Sequence, residues 1–218
     1  MTLKPCSKIF IIGLPRTGTT SISVALLEKG FKVAHTAFTQ RTFELAEVIS
    51  DCPCFSDYQQ LDRLFPGSKF VYLQRELSLW LPSMQRLLSK MAPHLQPKTG
   101  HFNPVLKRSF EQTFELSRIN VITDEHLRYC YNNHQKQVET YFKNRQDLLS
   151  INISEPRSLA TLMRFLEVDG EHSDENNQAF PHLNQGSQVS NWKAYKHKNK
   201  ISSLSAGKNH RKFFDYQI

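Results

Sequence analysis

Residues 8–21 read Lys8-Ile9-Phe10-Ile11-Ile12-Gly13-Leu14-Pro15-Arg16-Thr17-Gly18-Thr19-Thr20-Ser21, and this stretch decides the fold. Its first half is a continuous apolar, β-branched run ended by a turn signal, the pattern of a buried strand over 8–14. Its second half opens a helix over 17–29, with Ile22, Leu26 and Leu27 on one face and Gly30 as the stop. Gly13 and Gly18 permit a close backbone approach that a Cβ would hinder. A loop set between a strand and a helix in this way turns its amides, and the positive end of the helix dipole, toward one point. That is an anion site, to which the hydroxyls of Thr17, Thr19, Thr20 and Ser21 can add donors.

Outward from this loop, short apolar runs alternate with longer helical patterns. Strands are expected over 31–35, 54–56, 69–74 and 148–153. Helices are expected over 41–50, 58–65, 78–91, 105–117, 124–145 and 156–166. Residues 92–104, rich in Pro, Gly and His, read as a loop placed to act as a lid. The alternation predicts an α/β fold, a three-layer α/β/α arrangement of the P-loop type around a mostly parallel central sheet. In such folds ligands bind beyond the C-terminal ends of the strands.

The 218 residues suffice for one α/β domain, read as 1–185, followed by a basic tail over 186–218 packed on or near it. Of the net charge of +8, residues 191–218 carry +6, from seven Lys and Arg against Asp215. Such a tail suits an anionic cofactor, an acidic substrate or nucleic acid. Cys6, Cys52, Cys54 and Cys130 do not make a zinc pattern, since Cys52-Pro53-Cys54 has no second pair, and no metal is expected. Neither a signal peptide nor an apolar run of spanning length is visible, so a cytoplasmic protein without membrane contact is expected.

Nucleotide kinases carry the loop as G-x-x-x-x-G-K-[ST]. Here Thr19 stands where the lysine belongs and the cation comes earlier, at Arg16, which argues against an ordinary ATPase or kinase. Gly-Leu-Pro-Arg-Thr-Gly-Thr-Thr-Ser instead resembles the 5'-phosphosulfate loop of the sulfotransferases that use 3'-phosphoadenosine 5'-phosphosulfate (PAPS), of the form G-x-x-[KR]-[ST]-G-[ST]-[ST]. The resemblance implies that residues 13 and 15–21 bind the 5'-phosphate and that Arg16 assists the leaving bridge oxygen. Many family members carry lysine there, a mobile point charge where arginine is a planar fork. Arg75, at the end of the 69–74 strand, and Ser83, eight residues on, match the spacing at which the family binds the 3'-phosphate. The 159–168 helix and Phe180-Pro181-His182-Leu183-Asn184 resemble later parts of the same family, although the basic residues usual near the second are displaced or missing. The resemblance spans roughly residues 8–185 and implies transfer of a sulfuryl group to a hydroxyl or amine of a small-molecule or glycan acceptor.

Such a transfer needs a base to take the acceptor's proton. Asp57, read at a strand end, is the first choice. His35, at the end of the second strand, has a suitable pKa, and Glu44 is the third candidate. Each has an ordinary alternative: a helix cap for Asp57, a satisfied strand-end histidine for His35, a solvated helix residue for Glu44. Two other functions compete. One is a divergent P-loop kinase or NTPase. The other is a non-enzymatic binder of anions or nucleic acid, in which Trp192, Tyr195, Phe213, Phe214 and Tyr216 interleave with the tail lysines. Nucleic acid is the less favoured partner.

Overall fold

The computed structural model describes residues 7–118, 121–168, 180 and 192–206. Phe10 and Ile12 point to one side of a sheet and Ile11 to the other, so both faces of the first strand need cover. The chain supplies it by alternation: β1 (Ile9–Ile11), α1 (Thr19–Glu28), β2 (Val33–Ala34), α2 (Gln40–Leu45), β3 (Val48–Ser50), α3 (Cys54–Leu64) and β4 (Lys69–Leu73). Then come α4 (Leu77–Leu95), α5 (Pro104–Phe114), α6 (Asp124–Tyr141), β5 (Leu148–Ile151) and α7 (Ser158–Phe165). The five strands lie in the order β2-β3-β1-β4-β5, all parallel. Ile9 sits between Val48 and Lys69.

Phe10, Ile49, Phe70 and Tyr72 pack with Phe43 of α2, Tyr58 and Leu61 of α3 and Val138 of α6. Ile11, Val48, Val71 and Leu73 pack on the opposite face with Ile22 and Leu26 of α1 and Leu159 and Leu162 of α7. A third cluster, around Trp80, Phe55, Phe110 and Phe114, joins α3, α4 and α5. The expected three-layer α/β fold is therefore present. After β1 the chain goes to one side of it to make β2 and β3, then crosses to the other side for β4 and β5. That reversal places a crevice at the C-terminal end of β1.

Three stretches differ from the sequence reading. The helix expected over 41–50 ends at Leu45, and Ala46 turns extended (φ −82, ψ 139). Glu47 N then donates to Lys32 O at 2.8 Å, and β-branched Val48 and Ile49 become a strand between β2 and β1. Sheet pairing thus overrides a helical pattern that looked continuous. Conversely, residues 54–56 are not a strand but the first turn of α3: Ser56 N and Asp57 N both donate to Pro53 O, at 3.0 and 2.9 Å. The strand end on this side of the sheet therefore carries Asp51, not Asp57. The helix after β4 runs on through Pro93 to Leu95 and shortens the expected 92–104 loop. Lys107 Nζ ties that loop down at Pro97 O and Gly100 O, both 3.0 Å.

The described part of the tail packs on the domain. A parallel bridge pairs Lys200 with Val33 of the β2 edge. Residues 181–184 and 207–218, where family-like and basic features were read, lie outside the described residues, as does Cys6. Cys52, Cys54 and Cys130 are free, and burial pushes each thiol pKa up. Among the described residues no helix is long and apolar enough to cross a membrane.

Candidate active site

The loop after β1 owes its shape to where its carbonyls go. Leu14 O accepts from Thr17 Oγ1 at 2.7 Å, Pro15 O from Trp80 Nε1 at 2.9 Å and Arg16 O from Arg75 Nη1 at 2.6 Å. With three successive carbonyls tied back, the loop is left to present donors to the crevice. Arg16 (φ 73) and Gly18 (φ 109) are both left-handed, the alternation that turns neighbouring amides to one side. At Gly13 a Cβ would stand 2.5 Å from Leu73 Cβ, so glycine is what lets β1 and β4 close up beneath the loop. At Gly18 a Cβ would meet Ile153 Cδ1 at 2.2 Å in a backbone conformation L-residues rarely adopt. Gly18→Ala is expected to cost about 1–3 kcal/mol of stability, read by urea denaturation, and to weaken anion binding at the loop. Gly30→Ala is also left-handed (φ 91) but has nothing within 4 Å, and should leave binding intact.

A cavity of about 270 Å³ lies over this loop. It is lined by Pro15, Arg16, Thr17, Gly18, Thr19, Thr20 and Ser21, together with residues from beyond every other strand: His35 after β2, Asp51 after β3, Arg75 after β4 and Asn152, Ile153 and Ser154 after β5. The whole C-terminal edge of the sheet converges there. Arg16 Nε donates to Ser83 Oγ at 2.9 Å, and Arg75 holds the Arg16 carbonyl. The two sequence motifs, 59 to 67 residues apart, thus form one constellation. Burial, then the charges of Arg75 and Arg86, hold the Arg16 pKa below its ordinary value, and burial and Arg86 do the same for Arg75. Three guanidinium groups within each other's field, with Asp51 as the cavity's carboxylate, leave a surplus of positive charge for an anion.

The threonine hydroxyls are less available than expected. Thr17 Oγ1 is used inside the loop, Thr19 Oγ1 donates to Asp51 Oδ2 at 3.3 Å, and Thr20 Oγ1 lies 3.1 Å from His35 Nε2. His35 Nδ1 faces Asp51 Oδ2 at 3.9 Å. The carboxylate favours the ring proton on Nδ1, which leaves Nε2 to accept from Thr20. Burial lowers the His35 pKa against the opposing pull of Asp51, and burial raises that of Asp51. Burial thus favours the neutral imidazole, whose Nε2 lone pair can accept a proton.

Of the candidate bases, the structure brings His35 to the cavity but not Asp57 or Glu44. The Asp57 side chain has no exposure, and Arg108 grips it in a fork, Nη1 to Oδ1 at 3.0 Å and Nη2 to Oδ2 at 2.8 Å. Glu44 is an exposed α2 residue paired with Arg41 at 2.9 Å. Asp51 is the functional candidate the sequence reading missed. The one local cue, β-branched Val48-Ile49 ahead of Ser50-Asp51, was masked because the same residues continue the apolar spacing of the preceding helix.

A comparison with protein families matches residues 8–189 to the sulfotransferase domain. The chain belongs to the sulfotransferase domain family. A search of curated proteins gives no match. The match begins one residue before β1 and spans every element from β1 to α7, so this sulfotransferase domain includes each residue of the cavity. Membership makes the chain a transferase of sulfuryl groups in general terms, and the early cation of its loop agrees with that class better than with a kinase.

Proposed function

We propose that this sulfotransferase-family protein takes a sulfuryl group from PAPS and gives it to a hydroxyl or amine acceptor, a small molecule or a glycan. The observation that carries the reading is the joining of Arg16, Ser83 and Arg75 by two hydrogen bonds, which makes one anion site out of two separate motifs. The surplus of guanidinium charge at the loop supports a multiply anionic donor. Residues 13 and 15–21 would hold the 5'-phosphosulfate, and Arg75 with Ser83 the 3'-phosphate. PAPS supplies the sulfuryl group.

The chain's own groups then have distinct tasks. The forked Arg16 guanidinium neutralises charge on the departing phosphate oxygen. His35 Nε2, freed from Thr20, takes the acceptor's proton, and Asp51 stabilises the imidazolium that results.

The test is a thermal-shift titration with 3'-phosphoadenosine 5'-phosphate, the expected product, beside ATP with Mg²⁺. The first should stabilise the protein by about 2.7 kcal/mol at a hundredfold excess over its dissociation constant. Stabilisation by ATP with Mg²⁺ alone would sink the reading in favour of a P-loop kinase.

A further inference from the structure

The segment 192–206 returns to the sheet edge more than 150 residues after β2. Val33 N donates to Asn199 O at 3.0 Å and Ile201 N to Val33 O at 2.9 Å, which adds a short parallel partner to β2. Beyond this point Phe38 N donates to Ser203 O at 3.0 Å, Thr42 Oγ1 to Ser202 O at 2.8 Å and Thr39 Oγ1 to Ser205 O at 2.9 Å. Before it, Asn199 Nδ2 holds Gly30 O at 2.6 Å and the Tyr195 hydroxyl bonds Glu28. The segment is thus fixed on both sides of the bridge.

What it delivers is Trp192. The indole ring lies 5.2 Å from the His35 ring, tilted by 33°. Lys200 Nζ sits 4.7 Å from the centre of the indole and donates to the carbonyls of Trp192 and Tyr195, which fixes the indole in turn. His35 is then held from three directions by three distant segments: Thr20 on Nε2, Asp51 toward Nδ1, and Trp192 against the ring.

We propose that Trp192 is a positioning residue for His35: the returning segment holds the imidazole in line with Thr20 and the phosphate loop. The proposal rests on the reading of His35 as the proton acceptor. A ring packed against an aromatic neighbour keeps one rotamer and loses contact with water. Among the described residues, the charged groups that face His35 are Asp51 from the end of β3 and Lys200 from the returning segment. Arg16 acts on it through Asp51, and α1 presents only the neutral Thr20. Asp51 favours the imidazolium, whereas burial and Lys200 oppose it.

The experiment is an NMR titration of the His35 ring protons in the full chain. In the wild type the midpoint is expected below the ordinary histidine range. Trp192→Ala admits water while Asp51 stays, so the midpoint should move up. Trp192→Phe, which keeps an aromatic face, should return it to the wild-type value. If Trp192→Ala does not fold, Trp192→Leu takes its place. An unmoved midpoint in a folded variant overturns the proposal, and so does Trp192→Phe behaving like the alanine variant. Nucleotide titration of the wild type separates the two ideas. A His35 midpoint that responds to Trp192 in a protein that does not bind 3'-phosphoadenosine 5'-phosphate leaves the positioning contact standing and removes the sulfuryl-transfer reading.

Discussion

Arg75→Ala is expected to weaken binding of 3'-phosphoadenosine 5'-phosphate by about 1.5–3 kcal/mol, on the order of 10- to 150-fold in Kd. The expectation follows from two roles of one side chain. Arg75 sits just past β4 at the cavity wall, where a guanidinium can chelate a phosphate with two parallel bonds. Its Nη1 also holds the Arg16 carbonyl at 2.6 Å and so keeps the loop in shape. Isothermal titration with adenosine 5'-phosphate as the comparison ligand separates the roles. If Arg75 reads the 3'-phosphate, the variant should lose the discrimination between the two nucleotides and keep most of its affinity for the second. Equal losses for both would mean that Arg75 only props the loop. Arg75→Lys should recover charge but not the fork, and hence only part of the affinity.

Asp57→Ala should unfold the protein more readily by about 3 kcal/mol, because it strands a guanidinium that was paired in the interior. Asp57 is fully buried, and Arg108, itself only 28% exposed, spends two nitrogens on it. Removing both partners in Asp57→Ala with Arg108→Met should restore much of the loss, since the penalty lies in the unpaired charge. Urea denaturation of the three variants checks this. The folded fraction of Asp57→Ala should bind nucleotide as the wild type does, whereas an Asp57 that worked at the cavity would change binding without changing stability.

The two predictions mark where the sequence was legible. The loop's shape was legible because its cues are local: glycines at fixed spacing, a cation at a set offset, and a strand before and a helix after, whereas Arg75 and Ser83 stood out only through the family resemblance, and it is the fold that brings both to Arg16. The core strands β1 and β4 were readable for the same reason, as continuous apolar runs closed by turn signals. Asp57 misled because the cue was positional. Cys54-Phe55-Ser56 looks like a strand when taken alone, but the true strand had already ended at Ser50, and Pro53 starts a helix. Val48–Ser50 was hidden because only three residues make β3 and they follow a helix whose apolar spacing they happen to continue. Trp192 against His35 left no trace in sequence, since nothing local ties residue 192 to residue 35.

The tied-back carbonyls of Leu14, Pro15 and Arg16 have a consequence for affinity. One of their three anchors is Trp80, which is fully buried in the helical cluster. The conformational entropy of the loop is therefore given up when the protein folds, not when a ligand arrives, and little ordering cost is left to subtract from binding. Preorganisation of this kind couples the interior to the ligand. On the proposed reading, a substitution in the helical cluster that loosens the packing around Trp80 would be felt as weaker nucleotide binding.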